Sequence, residues 1–307
     1  AGNDIFYDES QVEQGRNFCA KIWNAWRLIN GWSADTKAEQ PAYAMQAVKW
    51  FDNLLSRTIT EVEDHYSKFR ISDALMSIYK LFWDDFCSWY LELVKPAFGG
   101  IVDGITYEAT VSFFDKLIKL IHPVMPFITE ELWQAMEKRN PGETIMFQRT
   151  PVAGPFDAAF LDKFAQVQGA IVNIRAIRAQ KCIPAKQALD LYIAGESLAE
   201  LYPALSKLGN VNVKSGTAEG AAASFIVGTV QMSVPLADFV NVEEERNKLE
   251  GDLAYQKKFL AGVRSKLANQ GFVAHAPESV IAAERKKEAD ALQRIEAIEN
   301  SLKSLGL

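Results

Sequence analysis

Apolar residues recur at intervals of three and four along the first half of the chain, which is the spacing of an amphipathic helix. This pattern predicts helices at residues 9–32, 41–66, 72–94 and 106–121, and a shorter helix that begins at Thr129 as its N-cap. Pro123 and Pro126 separate the last two helices, because proline lacks an amide hydrogen and restricts the residue before it. All seven tryptophans lie between Trp23 and Trp133. Residues 1–150 are therefore predicted to form a helical bundle with an aromatic core.

The pattern changes after a loop rich in proline and glycine at residues 141–155. A helical stretch at 157–179 is followed by short runs of β-type residues at 188–193, 211–213, 224–228 and 230–234, with a helix near 197–208. Because strands and helices are mixed here, residues 151–240 are predicted to form a small α/β segment with an antiparallel or mixed sheet.

The last segment has the heptad spacing of a coiled coil. Apolar positions alternate by four and three in two runs, residues 249–267 and 291–305. Asn269 and Gly271 are suited to ending the first helix, and Pro277 to beginning the second. Residues 241–307 are therefore predicted to fold back as an antiparallel coiled-coil hairpin, and the whole chain as a mainly α protein.

Composition and charge narrow the class of protein. The 307 residues carry 33 basic and 39 acidic side chains, and this net charge of −6 argues against holding a polyanion by bulk attraction. However, residues 172–186 and 253–277 each contain four lysines or arginines and no acid, so these two stretches are where a polyanion is predicted to dock. The three cysteines are scattered and do not form a disulfide framework, which predicts a cytoplasmic protein. The sequence has no apolar run long enough to span a bilayer, so it is not predicted to enter a membrane.

The sequence shows a polar stripe but no catalytic constellation. Its three histidines lie far apart and form no metal-binding pair, and no glycine-rich phosphate loop occurs. Asn17, Lys21, Asn24 and Arg27 share one face of the first predicted helix. Their amide and guanidinium groups are suited to hydrogen-bonding the edges of unstacked bases. An ordinary solvated helix face has the same spacing.

Three stretches of the bundle resemble the helical anticodon-binding domain of class I aminoacyl-tRNA synthetases of the valine, isoleucine and leucine group. They read NFCAKIWNAWRLI at residues 17–29, WDDFCSWYLELVKP at 83–96 and IHPVMPFITEELW at 121–133. Two further stretches resemble valyl-tRNA synthetases, namely AGNDIFYDE at 1–9, followed by GRNF, and the hairpin tip KLANQGFVAHAP at 266–277. The cysteine-rich zinc module common in isoleucyl enzymes is missing, so the resemblance favours the valyl group.

The resemblance implies a tRNA-binding part of a larger enzyme that joins valine to its tRNA using ATP and magnesium. The HIGH and KMSKS signatures that bind ATP in this class are absent from the sequence, and so is an editing domain. The chain by itself is therefore expected to be non-catalytic and to hold neither a cofactor nor a metal. Its expected partners are the tRNA for valine and the catalytic and editing domains of the same parent chain.

The same resemblance assigns two sets of candidate residues. Those expected to face the anticodon are Asn17, Lys21, Asn24, Arg27 and Lys95. Those expected to contact the tRNA backbone are Arg175, Arg178, Lys181, Lys257, Lys258, Arg264, Lys266, Arg285, Lys286 and Lys287. The basic residues of the 157–179 helix are expected to point outward, since isoleucines occupy its packing face.

Other interpretations of these residues stay open. Lys95 is equally suited to satisfying the C-terminus of a helix, and the hairpin lysines are equally suited to a solvated heptad flank. The alternative functions are the equivalent region of an isoleucyl- or leucyl-tRNA synthetase, and a non-catalytic helical protein whose coiled coil binds another protein.

Overall fold

A computed structural model describes residues 7–97, 99–220, 222–236, 242–268 and 278–304. The chain divides into two compact units, Ala1–Pro235 and Leu236–Leu307. The boundary predicted near residue 150 lies inside the first unit, and the division into three parts stays a prediction. No helix within the described ranges is long and apolar enough to cross a membrane.

The first unit begins with a helical bundle, as the apolar spacing predicts. Its helices are α1 (Glu9–Asn30), α2 (Ala42–Ser67), α3 (Ile71–Lys80), a π-helix (Leu81–Tyr90), α4 (Leu91–Val94), α5 (Gly104–Ile121) and α6 (Pro126–Met136). Two short strands, β1 (Ser33–Asp35) and β2 (Ile101–Asp103), pair in parallel between them. The Asp8 side chain accepts a hydrogen bond from the Ser10 amide and so caps α1.

Two details of the predicted helices are wrong. Residues 72–94 do not form one uniform α-helix, because Leu81–Tyr90 in their middle form a π-helix. Within it, the Ser88 hydroxyl donates to the carbonyl of Trp83, five residues earlier. The sixth helix begins at Pro126 rather than at Thr129, since proline is well suited to the first helical position. Thr129 is buried, and its hydroxyl donates to the Met125 carbonyl at 2.8 Å.

The bundle core is aromatic. Phe51 makes ring contacts with Phe86, Tyr90 and Phe113 at centroid distances of 5.2, 5.1 and 5.0 Å. The Tyr90 hydroxyl lies 2.8 Å from the Thr110 hydroxyl, which satisfies a polar group that is otherwise buried. Aromatic rings that interlock in this way fix the relative positions of α2, the π-helix and α5.

The α/β segment follows in the same unit. Its elements are α7 (Ala158–Gln180), β3 (Leu189–Ile193), α8 (Tyr202–Gly209), β4 (Val211–Ser215), β5 (Ala222–Val227) and β6 (Val230–Pro235). The sheet has the order β4-β3-β6-β5 and is mixed, with β3 parallel to β4 and antiparallel to β6. Trp50 of α2 stacks on Phe164 of α7 at 4.2 Å, so this segment is packed onto the bundle.

The second unit is a pair of helices, α9 (Val242–Ala268) and α10 (Glu278–Ser304). Lys257 pairs with Glu299 and Arg264 with Glu288, so the residue number rises on one helix as it falls on the other. The helices are therefore antiparallel, as predicted. Leu260, Ala291 and Ile295 form the buried seam of this pair. The predicted tip, including Asn269, Gly271 and Pro277, lies outside the described residues.

Candidate nucleic-acid interface

The polar stripe of α1 is accessible. Asn17, Asn24 and Arg27 are exposed and Lys21 is half-buried. Ile22 and Ile29, on the opposite face, have no exposed surface. The helix therefore buries its apolar face in the bundle and presents amide and guanidinium groups outward.

A cleft of about 600 Å³ opens at the C-terminal end of α1. The end of α1 forms one wall, and the segment that follows α4 forms the other. The lining residues that carry hydrogen-bonding or stacking groups are Asn24, Arg27, Trp32, Ser33 and Lys95. Three of the five candidate anticodon residues, Asn24, Arg27 and Lys95, are thus brought to one place, although Lys95 lies far from the other two in sequence.

The pairing of β1 with β2 holds the two walls of this cleft together. Ser33 and Ile101 are paired residues in the parallel ladder, and Ser33 itself lines the cleft. Gly100 closes the second wall, where a Cβ atom would lie 2.9 Å from the carbonyl oxygen of Ala97, so a side chain does not fit without movement of the backbone. The width of the cleft is therefore set by backbone contacts.

Lys95 is the C-terminal cap residue of α4 and also lines the cleft, so both roles considered for its side chain stay predictions. Its main-chain amide donates to the Leu91 carbonyl at 2.8 Å. Its ammonium lies 2.6 Å from a carboxylate oxygen of Glu92, and 43% of its side chain remains exposed. An exposed ion pair of this kind exchanges partners at little energetic cost, so Lys95 can turn to a phosphate in the cleft.

Trp32 is a lining residue that was not among the predicted site residues. It follows Gly31, which ends α1, and its ring is half-buried at the edge of the cleft. Its position just beyond the last helical turn, outside the packing stripe, is the sequence signal that distinguishes it from core tryptophans such as Trp26. An aromatic ring beside hydrogen-bonding groups is the arrangement that recognises unstacked bases.

Asn17 and Lys21 do not line the cleft. Asn17 lies about 10 Å from Asn24 along the helix axis, given the rise per residue. The Lys21 ammonium lies 5.1 Å from the centroid of the Trp83 ring, in a cation–π contact on the flank of the bundle. Their assignment to the anticodon stays a prediction.

The expectation that all the basic residues of α7 point outward is wrong for Arg178. Only 7% of this residue is exposed. Its guanidinium donates to four backbone carbonyls, those of Pro184, Gln187, Gly209 and Asn210, at 2.8–3.1 Å. The side chain therefore fastens the loop after α7 to the end of α8, and we withdraw it from the phosphate-contacting set.

The other two basic residues of this region remain accessible. Arg175 is exposed, and its guanidinium lies 5.5 Å from the ring centroid of Trp89 in the π-helix. Lys181, at the C-terminal cap of α7, is half-buried. A phosphate can therefore reach the Arg175 side chain without displacing the core.

The seven basic residues of the helical pair that are candidates for contacting the tRNA backbone are exposed. They are Lys257, Lys258, Arg264, Lys266, Arg285, Lys286 and Lys287. Lys257, Arg264 and Lys287 lie within 2.9 Å of carboxylates, those of Glu299, Glu288 and Glu284 respectively. The structure thus keeps these seven candidates at the surface, and two of them, Lys257 and Arg264, form ion pairs between the two helices.

Two side chains of the π-helix, neither of which lines the cleft, have pKa values that burial raises. Burial, reinforced by the neighbouring Asp84 carboxylate, raises the pKa of Asp85 to about 7. Burial also raises the pKa of the Cys87 thiol to about 12, so this thiol is unreactive. In the part of the chain that the structure describes, no three histidine, cysteine, aspartate or glutamate side chains are placed to hold a metal ion.

Two family models match the chain. The anticodon-binding domain of tRNA ligase matches residues 48–193, and the valyl tRNA synthetase tRNA binding arm matches residues 241–306. The first match begins within α2, so the α1 side of the cleft lies outside it.

Curated relatives match nearly the whole chain. The valine–tRNA ligase of Parabacteroides distasonis is 50% identical over 99% of this chain and 35% of its own length. Those of Porphyromonas gingivalis and Bacteroides thetaiotaomicron are 48% and 47% identical over the same shares. The chain thus spans about a third of the length of these relatives. The matches favour the valyl group over the isoleucyl, leucyl and non-catalytic alternatives.

Proposed function

Because this chain belongs to the valyl-tRNA synthetase family and carries its anticodon-binding domain and tRNA-binding arm, we propose that it holds the tRNA for valine with the anticodon loop in the cleft at the end of α1. Asn24 and Arg27 hydrogen-bond the edges of unstacked bases, Trp32 stacks on one of them, and Lys95 contacts a phosphate. Asn17 and Lys21 extend the same face toward the stem.

The observation that carries this proposal is the convergence of Asn24, Arg27 and Lys95 on one cleft. Base edges are read by groups with fixed donor and acceptor geometry, and phosphates are held by cations. The cleft supplies both kinds of group beside an aromatic ring. It opens to solvent on a helix whose opposite face is buried, so a loop of RNA can enter it without unfolding the bundle.

The rest of the chain supplies contacts with the body of the tRNA. Arg175 and Lys181 hold backbone phosphates beside the bundle, and the basic residues of the hairpin hold others along its length. The complete enzyme acts in the cytoplasm and joins valine to this tRNA using ATP and magnesium. Its catalytic and editing domains are then the covalent partners of the region described here.

A binding titration tests this function. The chain is titrated with a valine tRNA transcript and with the same transcript carrying a changed anticodon, at about 50 and about 200 mM salt. We expect tighter binding of the natural anticodon, and a loss of that preference in Asn24→Ala and Arg27→Ala. Each lost contact to a base edge should reduce the preference by about tenfold.

Arg16 provides the matched control, because it is an exposed arginine on the same helix that pairs with Glu13 outside the cleft. Arg16→Ala should leave the anticodon preference unchanged. Equal binding of both transcripts by the unmodified chain would show that it holds the tRNA body without reading the anticodon. Absence of binding to either transcript at low salt would refute the proposal.

A further inference from the structure

A chain of hydrogen bonds runs through the buried part of the bundle. The Thr110 hydroxyl lies 2.7 Å from the carbonyl oxygen of Thr106 and 2.8 Å from the Tyr90 hydroxyl. The Thr106 amide donates to the Asp103 carboxylate at 2.8 Å. Asp103 is 5% exposed, and the other three residues have no exposed surface. These four residues form the Tyr90–Asp103 network, which joins the end of the π-helix to the end of β2 through the start of α5.

The chemistry of the groups fixes the donor and the acceptor of each hydrogen bond. The Thr110 hydroxyl gives its only proton to the Thr106 carbonyl, so its oxygen accepts from Tyr90. Burial raises the pKa of the Tyr90 hydroxyl, and the Asp103 carboxylate adds to this effect, so the hydroxyl keeps its proton. Asp103 accepts from a backbone amide as the N-cap residue of α5. A buried polar network whose hydrogen bonds are made in this way holds its elements in one arrangement.

The two ends of the network enclose one wall of the cleft. Tyr90 ends the π-helix and is followed by α4, and Asp103 ends β2. The cleft residues of the second wall lie between them in the sequence and are Lys95, Pro96, Ala97, Gly99 and Gly100. Because the same network holds this segment at both ends, the segment has little freedom to change its distance from α1.

The network also reaches the other wall of the cleft. Asp103 is paired with Asp35 in the parallel ladder, and Ser33, at the other end of β1, lines the cleft. The Gln40 side chain donates to the Thr106 hydroxyl at 3.1 Å, so the chain between β1 and α2 is tied to the network as well. The distance between the two walls is therefore set by buried hydrogen bonds that do not line the cleft.

We infer that Tyr90 and Asp103 are positioning residues for anticodon recognition, which act by holding the wall segment between them and contact no RNA. Their hydrogen bonds keep Lys95 opposite Asn24 and Arg27. Recognition of base edges needs groups that are held to within about 0.5 Å, so loss of the network should reduce selectivity more than affinity for the tRNA body. The inference rests on the proposed function and adds to it residues that lie outside the cleft.

Three substitutions test the network in the whole chain. Tyr90→Phe removes the hydroxyl but keeps the ring that contacts Phe51 and Phe113. Asp103→Ala removes the acceptor of the Thr106 amide, whereas Asp103→Asn keeps an oxygen there. Valine tRNA transcripts with the natural and with a changed anticodon are titrated against each variant. Tyr90→Phe and Asp103→Ala should each reduce the preference for the natural anticodon about fivefold, and Asp103→Asn should retain it.

Matched controls make the same chemical changes elsewhere in the chain. Asp157 caps α7 as Asp103 caps α5, with its carboxylate accepting from the Phe160 amide at 3.0 Å. Tyr79 contacts Phe18 at a centroid distance of 4.8 Å and does not line the cleft. Asp157→Ala and Tyr79→Phe should leave the anticodon preference unchanged, even where they lower the Tm. All titrations are made below the Tm of the least stable variant, so that every chain is folded.

Hydrogen exchange of the free chain examines the wall without RNA. The amides of β2 should exchange about tenfold faster in Tyr90→Phe and in Asp103→Ala, because the strand loses its anchor. They should exchange at the unmodified rate in the two controls. Loss of anticodon preference without faster exchange of β2 would show that Tyr90 and Asp103 do not act by holding the wall, and would overturn the inference.

The anticodon titrations distinguish this inference from the function on which it rests. Unchanged preference in Tyr90→Phe and Asp103→Ala, in a chain that prefers the natural anticodon, overturns the inference and leaves the proposed function in place. Equal binding of the two transcripts by the unmodified chain overturns the proposed anticodon recognition, and the inference with it.

Discussion

Nη2 of Arg178 lies 3.1 Å from the carbonyl oxygen of Gly209, the last residue of α8. The same guanidinium reaches three more carbonyls, so one buried cation joins the loop after α7 to the start of β4. A charge this deeply buried is tolerated because its hydrogen bonds are satisfied. Its contribution is to the stability of the α/β segment rather than to RNA binding.

We expect Arg178→Ala to lower the free energy of unfolding by about 3 kcal/mol, because several buried carbonyls lose their donor at once. Arg175→Ala, one turn earlier and exposed, should change stability by less than about 0.5 kcal/mol but weaken tRNA binding at low salt. Chemical denaturation of both variants checks the first effect and titration with tRNA the second. A stable Arg178→Ala protein would contradict the structural role.

Removing either charge of the Lys95–Glu92 pair should change tRNA affinity in opposite directions. Glu92→Gln removes an anion next to the cleft and releases the Lys95 ammonium, so tRNA binding at low salt should tighten severalfold. Lys95→Ala should weaken it, and both effects should shrink as salt rises. If Lys95 only completes the end of α4, Lys95→Ala will leave affinity unchanged and reduce stability by about 0.5 kcal/mol.

Phe69 has an unusual backbone conformation for its residue type. It follows α2 with φ 57° and a side chain that is 89% exposed. The Arg70 amide donates to the His65 carbonyl at 2.8 Å, which completes a helix-ending motif that favours glycine at position 69. Phe69→Gly should therefore raise the free energy of unfolding by about 1 kcal/mol.

The comparison with Phe69→Ala isolates the backbone effect. Alanine removes the exposed ring but retains the unfavourable positive φ, so its stability should stay within about 0.5 kcal/mol of the unmodified chain. Thermal unfolding of the two variants gives the difference. Equal stability of the alanine and glycine variants would show that φ 57° carries no strain here.

Asp85 should make stability depend on pH. Its pKa is about 7 in the folded chain against 3.8 for an ordinary aspartate, so the folded state binds a proton that the unfolded state has released between these values. The free energy of unfolding should therefore fall as pH rises from about 4 to 7, by at most about 4 kcal/mol, and level off above that.

The Asp85→Asn variant checks this origin. It has no carboxyl to ionise at this position, so the fall in its stability between about pH 4 and pH 7 should be much smaller than that of the unmodified chain, and its stability at pH 8 should be higher. Asp84→Asn should give a smaller change, because the Asp84 charge is the lesser cause of the raised pKa. Identical pH profiles for the Asp85 variant and the unmodified chain would exclude Asp85 as their source.

Periodicity predicts most of the helices, because a buried stripe such as that of α1 repeats locally in the sequence. Periodicity does not predict contacts between residues that are far apart in the sequence. Position 178 shares the packing face with Ile171 and Ile174, yet an arginine there predicts exposure. Two of its four carbonyl partners, those of Gly209 and Asn210, lie more than 30 residues further along the chain. The two walls of the cleft are likewise joined by a parallel pair of three-residue strands, which are too short to leave a pattern in the sequence.

The pairing of Ser33 with Ile101 closes a loop of chain that contains α2, α3, the π-helix and α4. Joining two short strands across such a separation costs chain entropy, which is recovered only after the intervening helices have packed. We therefore expect the cleft to be among the last features to form as the chain folds. If it holds the anticodon loop as proposed, a chain whose bundle is incomplete should not bind that loop.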